Sequence, residues 1–129
     1  MLFIVLAIYI YFSGDEKMKK LEILARPEKL DDIRRILDDE GATGLNIMRM
    51  EGYGNQKGHY EGYDKDVCEI QLLPMIKVET VVDDAIAGTL IEKISIGIRT
   101  GNYGDGKIFV YDVDDAIRIR TGERGKGAL

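Results

Sequence analysis

The chain has no tryptophan, a single cysteine, a single histidine and two prolines in 129 residues. One cysteine, Cys68, excludes an internal disulfide and fits a reducing cytoplasm. With only His59, a histidine-based metal site or a Ser/His/Asp triad has little to work with. His59 lies in a polar loop and reads as a solvated side chain. Positive charge is also scarce: 18 Lys and Arg against 23 Asp and Glu leave a net charge of −5. There is no basic excess to neutralise a phosphate backbone, which argues against general nucleic-acid binding. No apolar run reaches the ~20 residues that cross a bilayer. What remains, 45% apolar and 32% charged residues, describes one globular domain able to bury a core without metals or disulfides.

Met1 to Phe12 is apolar and aromatic without charge, followed by Ser13-Gly14-Asp15-Glu16-Lys17. It lacks the basic start of a secretory signal. Three readings stand for residues 1–17: an interfacial anchor, an extra piece packed on the domain, or upstream sequence translated from an early start. The third is preferred, because a self-sufficient domain, residues 18–129, begins at Met18.

Lys20 to Ala25 reads as a strand, ended by Arg26-Pro27, since a residue before proline avoids the helical region. Glu28 to Glu40 reads as a helix with Leu30, Ile33, Ile36 and Leu37 on one stripe, acids in its opening turns and Gly41 as its stop. Gly44 to Glu51 is a second strand. From Gly52 to about Gln71 a long polar stretch has no period, with four glycines in the run that starts at Gly52 and ends at Asp66. Loops of this length in small domains are commonly functional. Ile76 to Val82 returns as a strand. Asp83-Asp84 can cap a second helix carrying Ile86, Leu90, Ile94 and Ile98, which Gly101 closes. Lys107 to Val113 is the last strand. Strand–helix–strand written twice predicts an α+β fold, a ferredoxin-like βαββαβ sandwich with both helices on one sheet face. The outer strands alternate apolar residues on both faces (Ile108 and Val110, Phe109 and Tyr111), so self-association is expected.

Two features carry chemistry. Thr100-Gly-Asn-Tyr-Gly-Asp-Gly-Lys107 places Gly101, Gly104 and Gly106 in a tight turn, where backbone amides can converge on an anion beside the Lys107 charge. Downstream, Ala116-Ile-Arg-Ile-Arg-Thr121 reads as extended, which would put Arg118 and Arg120 on one face. Together they suit a polyphosphate ligand.

From Met18 onward the chain resembles the PII nitrogen-regulatory signal-transduction proteins. The resemblance rests on Met18-Lys-Lys-Leu-Glu, Arg26-Pro27, Gly52-Tyr-Gly-Asn-Gln-Lys-Gly-His59, Leu73-Pro74, Thr100 to Val110 and Ile117-Arg-Ile-Arg-Thr-Gly-Glu123. It implies a compact homotrimer of ferredoxin-like subunits that binds ATP or ADP in the clefts between subunits. A protruding T-loop, about Gly54 to Gln71, would grip target proteins through residues such as Tyr60, Tyr63 and Asp64. Such targets are an ammonium transporter, a nitrogenase component or a biosynthetic enzyme, and no nucleic acid is engaged directly. The protein would be a cytoplasmic sensor recruited to a membrane by some partners, not an enzyme.

The resemblance also assigns residues. Phosphates would be held by Gly104, Asp105, Gly106 and Lys107 of one subunit and Arg118 and Arg120 of its neighbour. Asn46, Glu79 and Val81 would lie near adenine and ribose, and Gly54 and Asn55 near the nucleotide at the loop base. Gln56 would help hold Mg²⁺ on ATP, and Arg26, Gln56, Lys57 and Gly58 would bind 2-oxoglutarate. The chain departs from the family pattern at several points. Cys68 stands at the modifiable tyrosine, Asp64 at an arginine of channel-plugging relatives, Asn55 at a phosphate-contacting arginine and Met75 at a lysine for the 2-oxoglutarate carboxylate. Loss of that lysine's charged hydrogen bond, worth ~1.5–3 kcal/mol, predicts weakened 2-oxoglutarate binding.

Overall fold

A computed structural model of the chain describes residues 17–53 and 72–129. Four strands and two helices follow one another as β1 (Met18–Ala25), α1 (Leu30–Asp39), β2 (Asn46–Gly52), β3 (Leu73–Asp83), α2 (Asp84–Ile98) and β4 (Lys107–Val113). The sheet order is β2-β3-β1-β4, with every neighbouring pair antiparallel. This is the ferredoxin-like α+β arrangement that the double strand–helix–strand pattern predicts.

Alternation along the central strands fixes the two faces. Leu21, Ile23 and Ala25 of β1 and Ile76, Val78 and Val82 of β3 are buried together with Ile33 and Leu37 of α1 and Ala87, Leu90, Ile94 and Ile98 of α2. Leu30, Ile36, Ile86 and Ile91 pack against this core, so both helical stripes serve as the sequence predicts. At ~1.5–3 kcal/mol for each large aliphatic side chain, this single layer is the main source of stability. Buried Thr80 satisfies its hydroxyl by donating to the Gly44 carbonyl.

Several boundaries differ from those read in the sequence. Pro27–Lys29 form a 3-10 turn ahead of α1, because proline fits a helical opening where its missing N–H is not needed. Strand β3 starts at Leu73 and contains Pro74, which faces only Glu51 of β2 because β1 ends opposite Ile76. A proline is tolerated there because no second neighbour needs its N–H. Helix α2 ends at Ile98, with Arg99 already extended, so Gly101 belongs to the following turn and does not close the helix. Asp83 caps α2 as expected, accepting the Ala85 amide at 3.0 Å. The Lys17 carbonyl accepts the Asp84 amide at 3.0 Å, so the residue before Met18 is already part of the domain.

The second sheet face carries Leu24, Met48, Met50, Met75, Phe109 and Tyr111, in register across all four strands. Charges cross its middle. Glu22 accepts from the Tyr111 hydroxyl at 3.0 Å and pairs with Lys77 at 3.2 Å. Lys20 lies 4.5 Å over the Tyr111 ring and 3.6 Å from Glu79. The Tyr111 hydroxyl and Lys77 hold the Glu22 carboxyl below its usual range. No described helix covers this face, and Met48, Phe109 and Tyr111 stay exposed on it.

Candidate functional site

The glycine turn is built from the end of β1 outward. Gly101, Gly104 and Gly106 have φ of 84°, 93° and 97°, the left-handed region that the turn was expected to need. At Gly106 the requirement is also steric: a Cβ there would lie 1.7 Å from the Leu24 carbonyl oxygen. The turn therefore rests on the backbone of β1.

Asp105 and Arg26 hold its shape. The Asp105 carboxylate accepts the Thr100 amide at 2.8 Å, the Gly101 amide at 2.9 Å and the Thr100 hydroxyl. Burial alone would raise its pKa, but these bonds and the nearby Arg26 guanidinium outweigh burial and hold it below the ordinary carboxylate range. The Asp105 side chain is thus turned into the loop, and its carboxylate shapes the turn. Arg26 donates to the Gly104 carbonyl at 3.2 Å and to that of Tyr103. Arg26, expected in the 2-oxoglutarate pocket, thus lies against the turn, while the other residues expected there lie outside the described residues.

The arginine segment is not extended. Ile117 pairs with Arg124 in an isolated antiparallel bridge, and the chain reverses between them, with the Gly122 amide 2.7 Å from the Arg118 carbonyl. Gly122 takes φ of 75° to complete the reversal. Strand alternation therefore does not set the directions of Arg118 and Arg120. Arg118 donates to Glu123 Oε1 at 2.9 Å and to the Leu129 carbonyl at 3.0 Å.

A cleft of about 250 Å³ is lined by Thr43, Gly44, Asn46, Glu79, Thr80, Val81 and Leu129. It unites the three residues expected near adenine and ribose, because Asn46 and Glu79 are paired across β2 and β3. Thr43, Gly44, Thr80 and Leu129 had no signal of their own in the sequence; tertiary packing brings them there. Leu129 also lines an adjoining cleft with Asp83 and Lys126, which ties this pocket to the end of the sheet near Met18.

The two halves of the expected phosphate site lie beyond opposite ends of β4 in the chain. Lys107 pairs with Leu24 at one end of β1, while Val113, which leads into the arginine segment, pairs with Met18 at the other. They are the first and last of the seven residues of β4, about 20 Å apart at the usual rise per residue. Gly54, Asn55, Gln56, Lys57, Gly58, Tyr60, Tyr63 and Asp64 lie outside the described residues. Among the described residues no cluster of His, Cys, Asp and Glu could hold a metal ion, and no helix is long and apolar enough to cross a membrane.

Residues 18–123 match the family described as Nitrogen regulatory protein P-II. The chain is 45% identical over 112 residues to the nitrogen regulatory protein P-II of Rhodospirillum rubrum, covering 87% of this chain and all of that protein. It is 47% identical over the same length to that of Haemophilus influenzae. A solved B. subtilis GlnK–ATP complex superimposes with a TM-score of 0.73 at 33% identity, covering 89% of this chain and 98% of that one. A further B. subtilis GlnK structure gives 0.71 at 36% identity.

Proposed function

The chain belongs to the nitrogen regulatory protein P-II family, and from that premise we propose that it is a homotrimeric sensor. It takes ATP or ADP at the seams between copies and signals to a nitrogen-metabolism target through residues 54–71. The observation that supports this reading is that Lys107 and Val113, which leads into the arginine segment, lie at opposite ends of β4. In this reading the polyphosphate meets Lys107 of one copy and the arginine segment of the next. The uncovered sheet face, with its methionines and aromatics, supplies apolar surface for such an assembly.

In this reading the turn amides and Lys107 of one copy face the phosphates, while Arg118 and Arg120 approach from its neighbour. The cleft at Asn46, Glu79 and Val81 takes the base and ribose on the neighbour's side. The B. subtilis GlnK relative was solved in complex with ATP, which supports the nucleotide class for this chain. Mg²⁺ on ATP, with Gln56 beside it, would present open coordination sites to the keto-acid end of 2-oxoglutarate. Arg26, Lys57 and Gly58 would then complete that pocket. ADP lacks the γ-phosphate that helps place the metal, so the loop would adopt another shape, and its conformation would report energy and carbon supply together. Ammonium transporters, nitrogenase components and biosynthetic enzymes are the target classes. Recruitment to a membrane would come through the partner.

Sedimentation of the purified chain combined with ATP and ADP titration calorimetry tests the proposal. A three-chain assembly with one nucleotide per chain is the expected result. A monomer indifferent to both nucleotides would overturn it.

A further inference from the structure

Arg118 already has anionic and carbonyl partners within its own chain. One arm of its guanidinium meets Glu123 at 2.9 Å and the other the Leu129 carbonyl oxygen at 3.0 Å. A forked donor that holds two oxygens is the arrangement with which arginine grips a phosphate. The surrounding backbone makes this a defined turn. The Arg118 amide donates to the Glu123 carbonyl at 2.9 Å, and the amide of buried Gly125 donates to the Ala116 carbonyl at 3.0 Å. Lys126 pins the same segment to the start of α2 through Asp83, 3.4 Å away. The segment ends with Leu129 in the wall of the cleft formed by Asn46, Glu79 and Val81.

We propose that Glu123 and Leu129 form an internal ligand of the nucleotide site, holding Arg118 and narrowing the base cleft until a nucleotide displaces them. The inference rests on the nucleotide-binding reading above and adds a competing state to it. Binding transfers the Arg118 fork from a half-exposed carboxylate and a carbonyl to phosphate oxygens of higher charge, and Leu129 leaves the cleft. The apparent affinity of the resting protein is then lowered by the fraction of copies in which the segment is closed. ATP and ADP both displace it, so it weakens the two together and leaves their ratio unchanged. That separates it from any device that senses the γ-phosphate.

Titration calorimetry on the full chain and its Glu123→Gln variant tests this. The Glu123 side chain is about half exposed, so the variant is expected to fold. An exposed ion pair of this kind predicts binding roughly two- to fivefold tighter for both nucleotides. A purely structural role for Glu123 would give the opposite sign, because damage to the turn would weaken binding. Hydrogen exchange gives a second readout. The Leu129 amide, bonded to the Lys126 carbonyl at 3.2 Å, should exchange faster once ATP is added. Unchanged or weaker binding by Glu123→Gln beside a wild type that binds, or added protection of Leu129, would overturn the inference alone. A wild type that binds neither nucleotide would overturn the functional reading with it.

Discussion

The Asp105 carboxylate lies 2.8 Å from the Thr100 amide, so the glycine turn is closed by its own acid. An acidic side chain would repel a polyphosphate if it faced outward; turned inward, it fixes the loop and leaves the approach to backbone amides and Lys107. Asp105→Ala should therefore weaken ATP and ADP binding by loosening the turn, with a stability loss of about 1–2 kcal/mol. The pH dependence follows from its lowered pKa. The unfolded chain binds the proton more readily, so the contribution is complete above the ordinary aspartate pKa of about 3.9 and is lost as pH falls below it. Denaturant midpoints of wild type and variant should converge in acid. A gap that persists well below a pH of about 3.9 would count against this role.

Gly106 and Gly88 make opposite predictions. Alanine at Gly106 meets both a positive φ of 97° and the Leu24 carbonyl, and should cost about 2–5 kcal/mol. Gly88 is exposed within α2, with nothing near a built Cβ. Gly88→Ala should stabilise by about 0.5–1 kcal/mol through helix propensity. Chemical denaturation of the two variants side by side checks both signs.

Most of the architecture was legible because its signals are local and mutually consistent. The Leu30–Ile33–Ile36–Leu37 stripe, the Asp83 cap and the alternation of β1 and β4 each name one structure and were found where expected. The start of β3 was hidden because Pro74 reads as a loop residue unless the strand's single neighbour is known. Ile117-Arg-Ile-Arg120 misled for the converse reason. Its alternation imitates a strand, while Gly122 and the bond between the Arg118 carbonyl and the Gly122 amide turn the chain back. The wall formed by Leu129 has no signature in spacing, since tertiary packing of the C-terminal segment brings that residue to the cleft.

Phe109 lies on the uncovered sheet face opposite Glu22. Phe109→Glu would place a second carboxylate against that one at the expected seam between copies. The variant should run as a smaller species by light scattering while keeping its far-ultraviolet spectrum. A folded variant that assembles like wild type would show that this face is not the seam.

Met75 faces Met50 across β2 and β3, at the position where the resemblance places a lysine for the 2-oxoglutarate carboxylate. Met75→Lys should restore a charged hydrogen bond and tighten 2-oxoglutarate binding in the presence of Mg-ATP by roughly ten- to a hundredfold. Titration with and without ATP measures it. Wild-type affinity equal to that of the variant would remove Met75 from the explanation.

The central claim is that one nucleotide draws Lys107 from one copy and Arg120 from the next. Lys107→Ala and Arg120→Ala chains, each defective alone, can be unfolded together, refolded as a mixture and titrated with ATP. Random assembly into threefold rings should return roughly a quarter of the sites to wild-type affinity, because some seams then join two intact halves. Recovery of that fraction is the predicted result, and a mixture no better than its two components would contradict the account.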